Sequence, residues 1–488
     1  MRQRASLALL AWTLVLGCAY GQATLASAQA LLRQNKAREA LPILLALHAS
    51  GPADANVCQQ IGIAYTQLED LPHAETFYRE AVRLNPQFWA ARKNLGTVLW
   101  FLDRRDESER EFLVVTRELP GDPVPHLYLG LAAHARREFQ RAKAQFEKAG
   151  ALATGNPETL PAVLESYLAT KDLNFPRTMA DQLTSAESTD PEITSRVSRL
   201  FLQYGYPDRA ASMLEKIVSA HSDSSENWRL LGQAYDRQGK PDRAYPSFSK
   251  ALETNPNAEE NYIAFAEFAS AHGNNDYALQ VAARGLERLP KSYTLRFEQG
   301  LLWAIKGDRS QAESNFQQAS SLKANWPLPL LALGVTHMES GNIPEAAALF
   351  QKARNLDPDD ARAQYLYAMA LSRESGGSSS KNRAETVAAL QKAIELNPND
   401  GRSHALLGQM RLAAGDANAA AREWQAALKI EPENLTALYQ LGLLYQKQGK
   451  TEEARHLLER FQRAKANKRS DDENLVQILR IVPDRRVP

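Results

Sequence analysis

The sequence predicts an all-α fold made of repeated helical hairpins, and three observations support this prediction. Similar residues recur with a period of 34 residues, which is typical of repeat architectures. Within each period, apolar residues are spaced by three and four on two segments of about twelve residues, the pattern of two amphipathic helices. A glycine such as Gly239 recurs in phase just after the first segment, where a left-handed turn suits glycine.

The period is clearest when two parts of the chain are compared. Ten successive steps keep phase without an insertion, from a first repeat that begins near residue 21 to the repeat that begins at Ala361, and thirteen repeats cover nearly the whole chain. Two sets of residues show this, and each residue of the first set lies five 34-residue steps after the corresponding residue of the second set. The sets are Trp228, Leu231, Gly232, Tyr235, Ala244, Phe248, Ala251 and Pro256, and Cys58, Ile61, Gly62, Tyr65, Ala74, Tyr78, Ala81 and Pro86.

Two kinds of small residue recur inside the repeat. A glycine, alanine or serine of the first helix, such as Gly62 or Gly334, is expected to face an alanine of the second helix, such as Ala74 or Ala346, so that the helices approach closely. The other kind is the glycine between the helices. It is expected in a left-handed turn at Gly205, Gly239, Gly273, Gly307, Gly341, Gly415 and Gly449.

The glycines between helices do not indicate a nucleotide site. Gly449-Lys450-Thr451 resembles the end of a phosphate-binding loop, but that motif requires a glycine at position 444, where the chain has Leu444.

The pattern as a whole resembles the tetratricopeptide repeat family. The resemblance implies a right-handed α-solenoid of antiparallel helix-turn-helix repeats. One 34-residue hairpin buries too little apolar surface to offset the entropy lost on folding, so neighbouring repeats must share their apolar faces.

The ends of the chain differ from the repeats. Residues 1–21 have two arginines, an apolar run and then small residues, which predicts a secretory signal peptide cleaved near Gly21 or Ala23. Val15-Leu16-Gly17-Cys18 also resembles a bacterial lipoprotein signal, in which Cys18 would be lipidated; an uncleaved anchor is the third alternative. After the last repeat, residues 469–488 are predicted to form a capping helix over 470–482 and a tail, with a partner-binding tail as the alternative.

Two irregularities divide the repeats into ranges. Repeats one to four occupy residues 22–156 and repeats six to thirteen occupy 191–468, with a loop inserted at 375–380. The repeat between them, 157–190, is degenerate: Pro161 inside its first helix and Pro176 at an alanine position are expected to distort both helices. Two interpretations of this repeat stay open: simple degeneracy of its sequence, or a bend in the stack of repeats.

Composition limits the function. Basic and acidic residues are interspersed and the formal net charge is +1, which argues against nucleic-acid binding. With two cysteines, a disulfide framework is not expected, and Cys58 is predicted to be a buried small residue. The nine histidines form no His-Glu-x-x-His motif, and His126 and His134 are predicted to be surface or packing residues. No catalytic, cofactor or metal site is expected.

The resemblance also implies where a partner binds. In this family, the second, fifth, ninth, twelfth and thirteenth positions of each first helix line the concave face and contact extended peptides. Two apolar zones occupy these positions here, and the alternative is that they pack neighbouring first helices together. The first zone is Trp100, Phe101, Val124, Leu127 and Leu131; the second is Phe297, Leu301, Ile305, Leu328, Leu331, Val335, Met338, Tyr365 and Met369.

The face between the zones is polar. The carboxylate-clamp subtype requires lysine at the fifth and asparagine at the ninth position of one repeat, whereas Lys93 at the fifth position is combined with Thr97 at the ninth, so the clamp is not met. The resemblance therefore implies a non-enzymatic protein–protein interaction scaffold, and the leader predicted over residues 1–21 implies that it is exported to the periplasm or secreted. The alternatives are a lipoprotein of envelope assembly anchored through Cys18, of the polysaccharide-export or pilus-biogenesis type, a rigid spacer, and an enzyme without a recognisable site.

Overall fold

The computed structural model describes residues 24–175, 191–374 and 380–467. Within these ranges the chain forms 26 α-helices and no strand, which confirms the predicted all-α repeat fold, an α-solenoid of antiparallel hairpins. Several predictions concern residues outside these ranges: the leader at 1–21, Cys18, Pro176, most of the loop at 375–380, and the capping helix at 470–482.

The chain divides into two compact units, Met1–Lys240 and Pro241–Pro488. In the first unit, helices alternate as first and second members of hairpins, except that a short extra helix, α9, follows the fourth repeat. The described helices are α1 (Leu25–Arg33), α2 (Ala37–Ser50), α3 (Ala55–Gln67), α4 (Leu71–Leu84), α5 (Trp89–Phe101), α6 (Arg105–Glu118), α7 (Pro123–Ala135), α8 (Phe139–Ala149), α9 (Ala151–Thr154), α10 (Leu160–Ala169), α11 (Pro191–Gln203), α12 (Pro207–Ala220) and α13 (Ser225–Arg237).

The second unit continues the same alternation. Its described helices are α14 (Pro241–Thr254), α15 (Glu259–Ala271), α16 (Asn275–Arg288), α17 (Tyr293–Lys306), α18 (Arg309–Leu322), α19 (Leu328–Glu339), α20 (Ile343–Leu356), α21 (Ala361–Glu374), α22 (Ser380–Leu396), α23 (Gly401–Ala413), α24 (Ala417–Ile430), α25 (Leu435–Lys447) and α26 (Thr451–Asn467).

Within each unit, the extensive helix-to-helix contacts of the described residues join helices of the same repeat or of adjacent repeats. The structure is therefore held together by local junctions that recur along the chain.

Helix starts follow from short polar residues and prolines at the repeat boundaries. The Asp54 carboxylate accepts a hydrogen bond from the Asn56 backbone N–H at 2.7 Å, and Asp122 accepts one from the Val124 N–H at 3.0 Å. These bonds satisfy N–H groups that have no partner inside the helix. Pro123 begins α7, where its missing N–H costs nothing.

The turns inside the repeats confirm the predicted glycine conformation. The seven glycines named above have φ between +70° and +87°. The first five repeats make the same turn with other residues, whose φ lies between +56° and +60°. These residues are Asn35, Glu69, Asp103, Arg137 and Lys171. The left-handed conformation thus belongs to the turn itself, and the early repeats adopt it without glycine.

The glycine of the first helix makes room for an aromatic ring. A Cβ added to Gly334 would lie 2.5 Å from Cε1 of Phe350, and one added to Gly300 would lie 2.5 Å from Phe316. The ring comes 16 residues after the glycine. The predicted alanine partner, twelve residues after it, is also buried, as at Ala346, but it does not supply the nearest atoms. The atoms nearest to the first-helix glycine therefore belong to the aromatic ring, which corrects the prediction that they belong to the alanine.

Proline at position 161 does not distort its helix. Because α10 begins at Leu160, about three residues later than the repeat phase predicts, Pro161 lies in the first turn, a position that tolerates proline. The expected distortion is replaced by a late start and a shorter helix.

On the second helices, charged side chains link one repeat to the next. Arg79 contacts Glu75 at 2.7 Å and Glu107 at 2.8 Å, while Arg104 contacts Glu75 at 2.6 Å and Glu107 at 2.7 Å. These four groups form a closed network that joins α4 to the start of α6. A network of this kind adds to the apolar contacts between repeats more than an isolated surface ion pair does.

Candidate partner-binding face

The candidate site is the surface that the first helices α5, α7 and α10 form in the first unit, called here the first-helix face. Successive first helices touch one another: α5 contacts α7, and α7 contacts α10. Residues at fixed positions of successive repeats are therefore neighbours, and a side chain of one helix can combine with those of the next.

Trp100 and Phe101 end α5 and give this face its aromatic part. Phe101 is 64 % exposed, the largest exposed fraction among the exposed large apolar side chains of the described residues. Trp100 is partly buried, and the Arg105 guanidinium lies 3.7 Å from the centre of its ring. On the neighbouring helix, the ring centre of Tyr128 lies 5.3 Å from that of Trp100. The indole thus contacts both a cation and a second ring.

The Tyr128 ring is itself anchored in the core. It is parallel to the ring of Phe112, with centres 5.1 Å apart and an angle of 3° between the planes. Burial raises the pKa of the Tyr128 hydroxyl, and a hydrogen bond with Thr97 opposes that shift. The ring that contacts Trp100 is therefore itself packed against a buried ring.

Polar pairs that cross from repeat to repeat continue the face. The Lys93 ammonium lies 2.6 Å from the Asp122 carboxylate. Further along, His134 Nε2 lies 2.9 Å from Glu165 Oε2, and the Tyr204 hydroxyl donates a hydrogen bond of 3.2 Å to Glu165 Oε1. The hydrogen bond from His134 is the main reason that the pKa of Glu165 is lowered; burial opposes it. Lys93 is already paired, which also fits the absence of a carboxylate clamp.

The remaining residues of the first zone differ in accessibility. Leu127 is buried, whereas Val124 and Leu131 on the same helix are partly exposed. The first zone therefore offers an accessible apolar surface made of Trp100, Phe101, Val124 and Leu131.

In the second unit, the second zone lies mostly in the core. Partner contact by its nine residues stays a prediction. The nine residues fall into two groups that differ in how deeply they are buried. Three are partly buried and pack against the core cluster: Ile305, Leu328 and Tyr365. Six are buried and belong to the cluster itself: Phe297, Leu301, Leu331, Val335, Met338 and Met369. For these six, the alternative interpretation describes the structure, because they pack together rather than face solvent.

Tyr365 illustrates why this zone closes. Burial raises the pKa of its hydroxyl to about 12, and the Arg402 guanidinium lies 5.3 Å from its ring centre. Long side chains of neighbouring repeats thus cover one another, which exposes less apolar surface than their positions in the repeat suggest.

The sequence did not reveal several members of the first-helix face. Arg105 belongs to a second helix, and Glu165 and Tyr204 come from two further repeats, so no short motif connects them. The pairing of His134 could have been predicted from the repeat phase. The phase places Glu165 at the ninth position of the next first helix, beside the helix that carries His134. His134 is a partly buried, ion-paired residue, and His126 is a buried residue hydrogen-bonded to Gln145 at 2.7 Å.

Five sequence models of the tetratricopeptide repeat match the chain, and two of the matched ranges overlap. Two of the matches, at 55–88 and 225–258, begin at repeat boundaries predicted from the phase. The others are a tetratricopeptide repeat model at 305–370, a TPR repeat model at 408–449 and a tetratricopeptide repeat model at 436–464. None of the curated protein sequences matches the chain.

Several solved structures are similar to the chain at low identity. The crystal structure of the APC/C hetero-tetramer Cut9-Hcn1 is 16 % identical, with a TM-score of 0.41, over 86 % of this chain and 95 % of that chain. Yeast Tom70 is 15 % identical, with a TM-score of 0.42, over 88 % of this chain and 96 % of that chain. YrrB, described as a TPR protein with an unusual peptide-binding site, is 21 % identical, with a TM-score of 0.32, over 40 % of this chain and 96 % of that chain.

A search of the described helices finds none with both the length and the apolar character that crossing a bilayer requires.

Proposed function

We propose that this protein is a non-enzymatic scaffold that binds a segment of a protein partner on the first-helix face around Trp100 and Phe101. The observation that carries the proposal is the exposure of Phe101, 64 %, beside an indole fixed between Arg105 and Tyr128. Aromatic residues and arginine are enriched where protein interfaces gain most of their energy, and an exposed apolar surface with a polar border is typical of an interaction site.

The chemistry of the face favours an extended segment with an aromatic or aliphatic side chain. Such a side chain would cover Phe101 at the end of α5. The rest of the extended segment would run along α7 over Leu131 and Val124, which are partly exposed. The ion-paired groups nearby, Lys93 with Asp122 and His134 with Glu165, can share hydrogen bonds with the polar backbone of the segment.

Photocrosslinking tests the proposal. A photoreactive amino acid replaces Phe101 in intact cells, and the same amino acid replaces Leu119 in a matched control, because Leu119 is also exposed, at 40 %, but follows a second helix. We expect a discrete crosslinked protein at position 101 and none at 119. A peptide from the crosslinked region should then bind the purified chain, with an affinity about tenfold lower for Phe101→Ala. Equal crosslinking at both positions, or unchanged affinity, contradicts the proposal and favours the rigid spacer.

Export belongs to the same proposal and rests on the predicted leader over 1–21. The scaffold would then act in the periplasm or outside the cell, after cleavage near Gly21 or Ala23. The lipoprotein alternative requires an acylated Cys18 at the new N-terminus, attached to the outer membrane, and suits an envelope-assembly role. Mass spectrometry of the N-terminal peptide of the mature chain distinguishes the two, and an intact Met1 peptide contradicts both.

A further inference from the structure

Three residues with metal-binding side chains meet between the first two repeats. His48 comes from α2, Cys58 from α3 and Glu80 from α4. They form the only group of three or more histidine, cysteine, aspartate or glutamate side chains with suitably placed ligand atoms among the described residues. Since they come from three helices, the cluster exists only when the two repeats pack together.

The geometry brings one ligand atom of each residue within 4.8 Å of the other two. Cys58 Sγ lies 3.7 Å from His48 Nδ1, and His48 Nε2 lies 3.8 Å from Glu80 Oε2. The sulfur is fully buried, whereas the His48 and Glu80 side chains are each 27 % exposed. The cluster therefore has a fixed inner ligand and two outer ligands that can adjust from the solvent side.

The combination of donors and the spacing suit zinc. Thiolate, imidazole and carboxylate are its usual protein ligands. With bond lengths of about 2.0–2.3 Å and tetrahedral angles, neighbouring sulfur and nitrogen ligands are about 3.5 Å apart. The observed separation of 3.7 Å between Cys58 Sγ and His48 Nδ1 is close to that value. The ligand oxygen of Glu80 lies within 4.8 Å of the ligand atoms of the other two residues, so a rotation of the Glu80 side chain is needed to supply the third ligand.

We propose that His48, Cys58 and Glu80 bind one zinc ion, which joins the first repeat to the second. Three protein ligands leave a fourth position for water on the solvent side, the arrangement of an exchangeable zinc ion rather than a closed structural one. Binding forms a zinc–sulfur bond and releases the thiol proton to solvent. One divalent ion then balances one thiolate and one carboxylate, while the imidazole stays neutral.

The Phe77 ring and the Asp54 carboxylate complete the surroundings. The Phe77 ring stands edge-on to His48, with centres 5.6 Å apart, and restricts the rotation of the imidazole. Asp54 contributes a negative charge near the thiol, which favours a bound cation.

Cobalt titration tests the site in the full chain. In a Cys18→Ser background, Cys58 is the sole thiol, so a thiolate-to-cobalt charge-transfer band reports on Cys58 alone. We expect this band to appear with one Co²⁺ per chain and to disappear on addition of Zn²⁺. Bound Zn²⁺ should also protect Cys58 from alkylation and raise the thermal midpoint of the chain.

Variants test the assignment of the ligands. Cys58→Ala should abolish the band, and His48→Gln and Glu80→Gln should each lower Zn²⁺ affinity by more than about tenfold. His73→Gln is the matched control. His73 lies in the same repeat as Cys58 and Glu80 but pairs with Asp70 at 2.8 Å, so the Zn²⁺ affinity of this variant should equal that of the unmodified chain. No charge-transfer band at saturating Co²⁺ overturns the proposal, even if a variant fails to fold, because the band is measured on the chain that retains all three ligands.

Discussion

The contact between Gly334 and Phe350 allows the packing of the repeats to be tested quantitatively. Phe350 is fully buried, and a Cβ on residue 334 would lie 2.5, 2.8 and 2.9 Å from three atoms of its ring. Carbon atoms in favourable contact are about 3.5–4.0 Å apart, so Gly334→Ala requires the ring to move by about 1 Å. Overpacking of this kind costs about 1–3 kcal/mol, from which the higher helix preference of alanine subtracts up to about 1 kcal/mol.

The assay is a double-mutant cycle in which the stability of each variant is measured by hydrogen exchange of α19 and α20. Replacing Phe350 with leucine removes the ring that the added methyl group would meet, so the double variant should be less destabilised than the sum of the single variants by about 0.5 kcal/mol or more. Gly341→Ala serves as the control, because a Cβ there meets no atom within 4 Å and its cost comes from a φ of +81°. Additive effects of Gly334→Ala and Phe350→Leu would refute the glycine-to-ring contact.

Two further predictions concern the first unit. Glu69 has a φ of +60°, so Glu69→Gly should relieve backbone strain and stabilise the chain by up to about 1 kcal/mol; a lower thermal midpoint would contradict this. The pKa of Glu165 is lowered mainly by the hydrogen bond from His134. This interaction therefore stabilises the fold above the unfolded glutamate pKa of about 4.3 and is lost as pH falls through the lower folded pKa. Thermal midpoints of Glu165→Gln should fall less over that acidic range than those of the unmodified chain, and an identical pH profile would argue against the pair.

The repeat fold was predictable because its determinants are local in sequence. Glycines such as Gly239 mark a turn whose conformation they adopt without strain, so their phase located the helix ends correctly. The same turn at Glu69 was not predictable from residue type, because glutamate rarely has a positive φ. The late start of α10 was missed for a related reason. A proline within a helical pattern can either distort the helix or lie in its first turn, and the pattern alone does not distinguish the two.

The candidate sites depend on contacts between repeats, which one repeat does not reveal. Phase alone placed Trp100 and Met338 at equivalent positions of the first helix. The structure leaves Trp100 partly exposed on Tyr128 but buries Met338, because the neighbouring helices carry different side chains. The cluster around Cys58 was missed since its ligands come from three helices and no fixed spacing identifies them.

The restriction of extensive contacts to the same or the next repeat has a consequence for how such a chain can change over time. A duplication or loss of one complete 34-residue unit within either half would recreate a junction of a kind that the chain already contains. The length of the chain could therefore vary by whole repeats in the gene while the remaining interfaces between repeats keep their shape.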